Sequence, residues 1–159
     1  MCNIIVSLIS DQTIPNVLFI KEMETKKKDI KLYLFISTNK MEQKGKANSI
    51  IQASNIDKSK TKVIEVIEDS IEDITTKLTN FAQENLNSGD NYIINLTGGT
   101  KIMSIGVYNF FKDKNRNSIY YLPIGKNTYK QIFPSLQNGV YDLNFRISIE
   151  EYLTSYGFE

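Results

Sequence analysis

The sequence contains no histidine. That removes the commonest general base and transition-metal ligand, and with it any Ser-His or Cys-His nucleophile. There is one cysteine, Cys2, so no internal disulfide can form, and with no histidine to activate it Cys2 reads as a small apolar residue. Neither charge dominates: 19 basic residues face 18 acidic ones, for a net charge of +1. General nucleic-acid binders are usually more basic, so a positively charged site here has to be local. No apolar run is long enough to span a membrane and no secretory or transit signal opens the chain. The expected location is therefore cytoplasmic, with no membrane partner and no general nucleic-acid binding. The 159 residues, 41% of them apolar, suffice for one domain with a core.

Apolar runs alternate with amphipathic ones along the chain. Asn3 to Ile9, Ile30 to Ile36, Lys62 to Ile67, Tyr92 to Ile94 and Ser118 to Leu122 read as strands, the first two almost continuously apolar. Helices are expected over Ile14–Met23 with Thr13 as its cap, over about Lys40–Ser54, from Ser70 to a stop at Gly89, over Ile102–Phe111, and over Ser148–Tyr156. Ser70-Ile71-Glu72-Asp73 and the stretch from Ser148 to Glu151 resemble capping boxes. Thr128 to Phe133 and Val140 to Ile147 read as a hairpin strand and an edge strand. The Ile102–Phe111 helix has little polar face, so it is either fully buried or packed on a second subunit. This order predicts an α/β fold, a Rossmann-like open and mostly parallel sheet with helices on both faces and an antiparallel C-terminal tail.

Ligands of such sheets bind beyond the carboxyl ends of the strands, where the strand order reverses. Three strands end in small polar residues: Ser10-Asp11-Gln12-Thr13, Ser37-Thr38-Asn39 and Thr97-Gly98-Gly99-Thr100-Lys101. In the third, two glycines turn the chain into a helix mouth, where backbone N–H groups and a partial positive charge suit an anion. Lys101 adds a full charge. Each loop also reads as an ordinary helix cap, but two glycines and a lysine exceed what capping needs. The P-loop pattern fails, because Ile102 follows Lys101, and no glycine follows the first strand, so the dinucleotide fingerprint fails too. Glu65, Glu68, Asp69, Glu72 and Asp73 read as a solvated helix end, with no metal site expected. Lys26, Lys27 and Lys28 read as a solvated turn, since no aromatic is interleaved with them.

Asn95 to Met103 (Asn-Leu-Thr-Gly-Gly-Thr-Lys-Ile-Met) resembles the signature of CARF domains, the CRISPR-associated Rossmann-fold sensors. The stretches Val6 to Val17, Ser37 to Lys44 and Tyr121 to Lys126 are similar to the branch formed by the sensor domains of CARF-nuclease effectors. The resemblance implies a homodimer that binds a cyclic oligoadenylate, most often cyclic tetra-adenylate, in type III CRISPR antiviral signalling, with no cofactor. It implies that Thr97, Gly98, Gly99, Thr100 and Lys101 hold phosphate and ribose, with Met103 also among the ligand-binding residues. Ser10, Asp11, Gln12 and Thr13 would line the ring's centre or an adenine, and Thr38, Asn39 and Met41 would close over the base. A single sensing domain is expected over 1–159. No nuclease core, deaminase or helix-turn-helix region is present in this sequence, so either a stand-alone sensor or the sensor half of a longer effector is expected. The resemblance leaves two roles open. One is a sensor without chemistry of its own. The other is a metal-independent ring nuclease that positions a ribose 2′-OH, with Lys101, Thr100, Ser10 or Thr13 stabilising the developing charge. Beside both stands a generic nucleotide or sugar-phosphate binder.

Overall fold

A computed structural model describes residues 2–84, 89–112 and 116–158. Seven strands form one sheet in the order β3-β2-β1-β4-β5-β6-β7. The strands are β1 (Asn3–Leu8), β2 (Ile30–Ser37), β3 (Thr61–Glu65), β4 (Asn91–Asn95), β5 (Ser118–Tyr121), β6 (Thr128–Phe133) and β7 (Val140–Asp142). The first five are parallel. β6 and β7 add antiparallel at the end, as the tail of the sequence predicts.

Side-chain alternation sorts the apolar runs into two cores. Ile4, Val6 and Leu8 of β1 point to one face, Ile5 and the following Ile9 to the other. Because β1 is central and parallel, both faces need cover, which explains its unbroken hydrophobicity. On one face lie α1 (Ile14–Lys26), α2 (Asn39–Gln43) and α3 (Lys46–Ala53), with α6 (Ile149–Ser155) packed on α3. On the other lie α4 (Ile71–Glu84) and α5 (Lys101–Phe111). Gly106 lets α5 approach α4 closely: a Cβ there would sit 3.2 Å from Ile74. The apolar helix thus finds its main partner inside the chain, with Met103, Val107 and Phe111 buried and Ile105 left half exposed.

Several boundaries differ from the sequence pattern for local reasons. The helix expected over Lys40–Ser54 is two helices, because Gly45 adopts φ +68 and ends the helical path. Thr38 caps the first of them, its Oγ1 accepting from the Met41 N–H at 3.3 Å. Thr13 precedes α1 but makes no side-chain cap bond. Ser148 and Glu151 form a complete capping box on α6. At α4 only half of one forms: Ser70 Oγ accepts from the Asp73 N–H, while the Asp73 carboxylate reaches back to the Ile67 N–H. The segment between Glu84 and Gly89, the expected stop of α4, lies outside the described residues.

The edge strand expected over Val140–Ile147 pairs only over Val140–Asp142. Beyond it the buried carboxylate of Glu22 takes the chain away from the sheet, its Oε1 accepting from the Asn144 N–H at 2.6 Å and the Phe145 N–H at 2.9 Å. Lys26 lies 3.8 Å from the other carboxylate oxygen, donates to the Tyr129 hydroxyl and covers the Tyr129 ring. Glu22→Ala leaves two backbone donors without an acceptor and is expected to lower stability by about 2–4 kcal/mol in urea unfolding. Glu22→Gln, which keeps an acceptor, is expected to lose less.

Candidate functional site

The strand order reverses between β1 and β4. The chain leaves β1 toward α1 on one face and leaves β4 toward α5 on the other, so a crevice opens between the two strand ends. Beneath it runs a buried chain of hydrogen bonds. Asn16 Nδ2 donates to the Leu8 carbonyl at 2.9 Å, and Asn95 Nδ2 donates to Asn16 Oδ1 at 3.5 Å. Asn95 Oδ1 accepts from the Thr97 N–H at 2.9 Å, and Thr97 Oγ1 accepts from the Leu122 N–H at 2.7 Å. Both asparagines are fully buried. The ends of β1, β4 and β5 and the first turn of α1 are tied together by this chain.

The glycine turn sits on that base. Gly98 has φ +105, and a Cβ on it would lie 2.7 Å from the Leu8 carbonyl oxygen. Thr100 caps α5, its Oγ1 accepting from the Met103 N–H at 3.2 Å while donating to the Glu68 carbonyl at 2.7 Å. Among the described residues, the backbone N–H groups of Gly98, Gly99, Thr100, Lys101 and Ile102 donate to nothing. Five successive free donors at a helix mouth are an arrangement that suits an anion. Lys101 stands exposed beside them, with no ion pair among the described residues.

A crevice of about 220 Å³ brings together Ser10, Asp11, Thr38 and Met41 from the first two loops with Gly99, Thr100 and Met103 from the third. Gln12, Thr13, Asn39, Thr97, Gly98 and Lys101 do not line it. Gln12 faces a neighbouring pocket, Thr13 is fully buried with its hydroxyl unpartnered, and Asn39 is exposed and bonded to Gln43. Thr97 and Gly98 form the base just described. Lys40, Glu68 and Ile9 also line the crevice. The sequence pattern predicts three strand ends here; Glu68 lies on a fourth, beyond β3, whose parallel pairing with β2 brings it to the same edge. The crevice therefore holds two carboxylates. Asp11 is bonded to Lys44 at 2.8 Å, and that bond holds its carboxyl below the usual range, helped by the charges of Lys44, Lys46 and Lys40.

Asn95 opens the signature stretch and Asn16 lies in the stretch from Val6 to Val17, but neither is singled out by the sequence as a structural residue; the signal for each is a polar side chain within an otherwise apolar run. Among the described residues no cluster of His, Cys, Asp and Glu could hold a metal ion, and no helix is long and apolar enough to cross a membrane.

A family model for the Card1 CARF domain matches residues 4–152. Can2 from Sulfobacillus thermosulfidooxidans, solved with cyclic tetra-adenylate, superposes with a TM-score of 0.77 at 21% identity, covering 98% of this chain and 41% of its own. Protein VC1899 from Vibrio cholerae gives 0.80 at 18% identity, covering 98% of this chain and 39% of its own. A type III CRISPR defence DNA nuclease activated by cyclic oligoadenylate gives 0.68 at 13% identity, covering 97% and 24%. This chain thus spans less than half the length of each of these structures. No curated protein matches.

Gly45 and Gly98, two of the glycines with positive φ, separate strain from steric fit. At Gly45 an added Cβ meets nothing within 4 Å, so Gly45→Ala is expected to cost about 1 kcal/mol from φ alone. Gly98→Ala adds the clash with the Leu8 carbonyl and is expected to cost about 3 kcal/mol. Chemical denaturation of the two variants checks the difference.

Proposed function

The chain belongs to the CARF family, and from that premise we propose that it is a sensing domain for a cyclic oligoadenylate, with cyclic tetra-adenylate as the ligand, in type III CRISPR antiviral signalling. The observation that carries this reading is the run of five unpaired backbone donors from Gly98 to Ile102, at the sheet's switch point and beside the Lys101 ammonium. Phosphodiester oxygens are the ligand chemistry that such donors satisfy. Residues 1–159 act as one sensing unit, alone or joined to an effector. Two copies form an isologous dimer, because a ring of four adenylates has two-fold symmetry and presents the same phosphate pattern to each copy.

Holding the ring is favoured over cutting it. Ring cleavage by a 2′-OH needs groups free to stabilise the developing charge. Of the hydroxyls at the site, that of Thr100 is bonded to both Met103 N–H and the Glu68 carbonyl. That of Ser10 exchanges two bonds with the Gln12 backbone, and that of Thr13 is fully buried. Lys101 remains as a cation for the bound phosphates.

Incubation with cyclic tetra-adenylate for hours is expected to return the ring intact; linear fragments with cyclic phosphate ends would establish the ring-nuclease alternative instead. Lys101→Ala is expected to weaken ring binding more than tenfold by calorimetry, and unchanged affinity would remove the lysine from the site. Sedimentation is expected to give a dimer with the ring present; a monomer with and without it would count against the shared pocket.

A further inference from the structure

The last helix is only lightly packed. α6 buries Ser155 alone, while Ile149 is 80% exposed and Phe158, just beyond the helix, 62%. No side chain of α6 belongs to either core, whereas α1, α3, α4 and α5 each bury several residues. A segment with few buried apolar contacts opens locally at low free energy. α6 nevertheless lies in place along α3 and α1.

Its fastenings are polar and lie at its two ends. Ahead of the helix, the Glu22 carboxylate holds the Asn144 and Phe145 N–H groups against α1. Behind it, the Tyr156 hydroxyl donates to Gln12 Oε1 at 3.5 Å, and Lys46 Nζ stands over the Tyr156 ring, 5.6 Å from its centre. Both partners of Tyr156 belong to the crevice side. The Gln12 backbone exchanges bonds with the Ser10 hydroxyl, and Ser10 lines the crevice. Lys46 opens α3 directly after Gly45, and it acts on the crevice too: the bond from Lys44, with the charges of Lys44, Lys46 and Lys40, holds the Asp11 carboxyl below its usual range. A pocket of about 230 Å³ beside Tyr152 and Tyr156 leaves these rings room to move.

We infer that α6 is a releasable strap: a polyanion in the crevice draws Lys46 off the Tyr156 ring and frees the end of α6, while Glu22 keeps the start of the strap tied to α1. The direction follows from charge. An exposed cation–π contact is weak, and a charge-assisted bond from an ammonium to a phosphate is stronger. The polyanion and Tyr156 compete for one ammonium, so each weakens the hold of the other. Release adds the Tyr156 ring to the apolar surface already open at Ile149, Leu153 and Phe158. The inference rests on the ring-binding reading above and adds to it what occupancy does to the end of the chain.

Hydrogen exchange on the whole chain tests the strap. Cyclic tetra-adenylate is expected to quicken exchange about tenfold at the amides of residues 152–158, with the turn of α1 around Glu22 unchanged. Tyr156→Ala is expected to give fast exchange there without the ring and, by calorimetry, to bind the ring several-fold more tightly, which loss of a merely structural tyrosine would not do. Unchanged or slower exchange on ring binding, or unaltered ring affinity in Tyr156→Ala, would overturn the strap. Lys46→Gln tests it with no ligand present: the same amides are expected to quicken several-fold, and unchanged exchange would overturn it. If the wild-type chain does not bind the ring, the ring-binding reading fails, and inorganic triphosphate takes its place as the polyanion. It is expected to quicken the same amides, and no change would overturn the strap as well.

Discussion

The site depends on a chain of buried amide hydrogen bonds from the Leu8 carbonyl through Asn16 and Asn95 to the Thr97 N–H. Among the described residues, these are the side-chain hydrogen bonds that tie the end of β1 to the end of β4 below the crevice. Each member is paired within the set, so removing one strands its neighbours in a low-dielectric interior, where an unsatisfied polar group costs about 1–3 kcal/mol. The arrangement fixes the distance between the Leu8 carbonyl and the glycine turn. Gly98 has to pass that carbonyl at a separation where no side chain fits. The glycine is therefore required by the asparagines, and the free donors that follow it point where they do because both are present.

The placement of this network follows from the strand order. β1 and β4 are neighbours whose following helices go to opposite faces, so α1 supplies Asn16 from below while α5 opens its N-terminus above. A crevice at such a reversal is a consequence of connectivity. What this chain adds is a layer of small polar residues, including Ser7, Ser37 and Thr13, buried under the same edge on the α1 side without hydrogen-bond partners among the described residues. The interior grows polar toward the ligand edge and stays aliphatic and aromatic elsewhere, where the Phe19, Tyr120, Tyr129 and Tyr141 rings stack under the antiparallel tail.

The sheet was legible because unbroken β-branched runs predict central strands, and the runs expected over Asn3–Ile9 and Ile30–Ile36 form β1 (Asn3–Leu8) and β2 (Ile30–Ser37). The glycine turn was legible because its residue types are unusual for a cap. Other features carry no local signature. Gly45 breaks a helix that propensity alone continues. Glu22 ends β7 by capturing two backbone donors 122 and 123 residues away. The asparagine pair spans 79 residues, and Asn16 looks like any polar residue in the first turn of a helix. Lys40 and Glu68 enter the crevice only once parallel pairing sets which strand ends share an edge. Long-range partnerships of single polar residues are what one sequence conceals.

The division of labour among donors explains why the site needs more than its signature. Thr97 and Thr100 look like phosphate ligands in the sequence, yet the oxygen of one accepts from Leu122 and the hydroxyl of the other caps α5 and holds Glu68. They shape the turn, and the backbone between them presents the charge. Backbone N–H groups read a phosphate's position and are indifferent to the base attached to it. A site built on them gains affinity without base selectivity. Selectivity in such a site has to come from side chains at the margin of the crevice, and Gln12 stands at that margin: its backbone is bonded to Ser10, which lines the crevice, and its amide oxygen accepts from Tyr156 on the other side. The same four-residue loop thereby borders both the crevice and the neighbouring pocket, so a change in the glycine turn and a change in the tyrosine wall converge on one short segment.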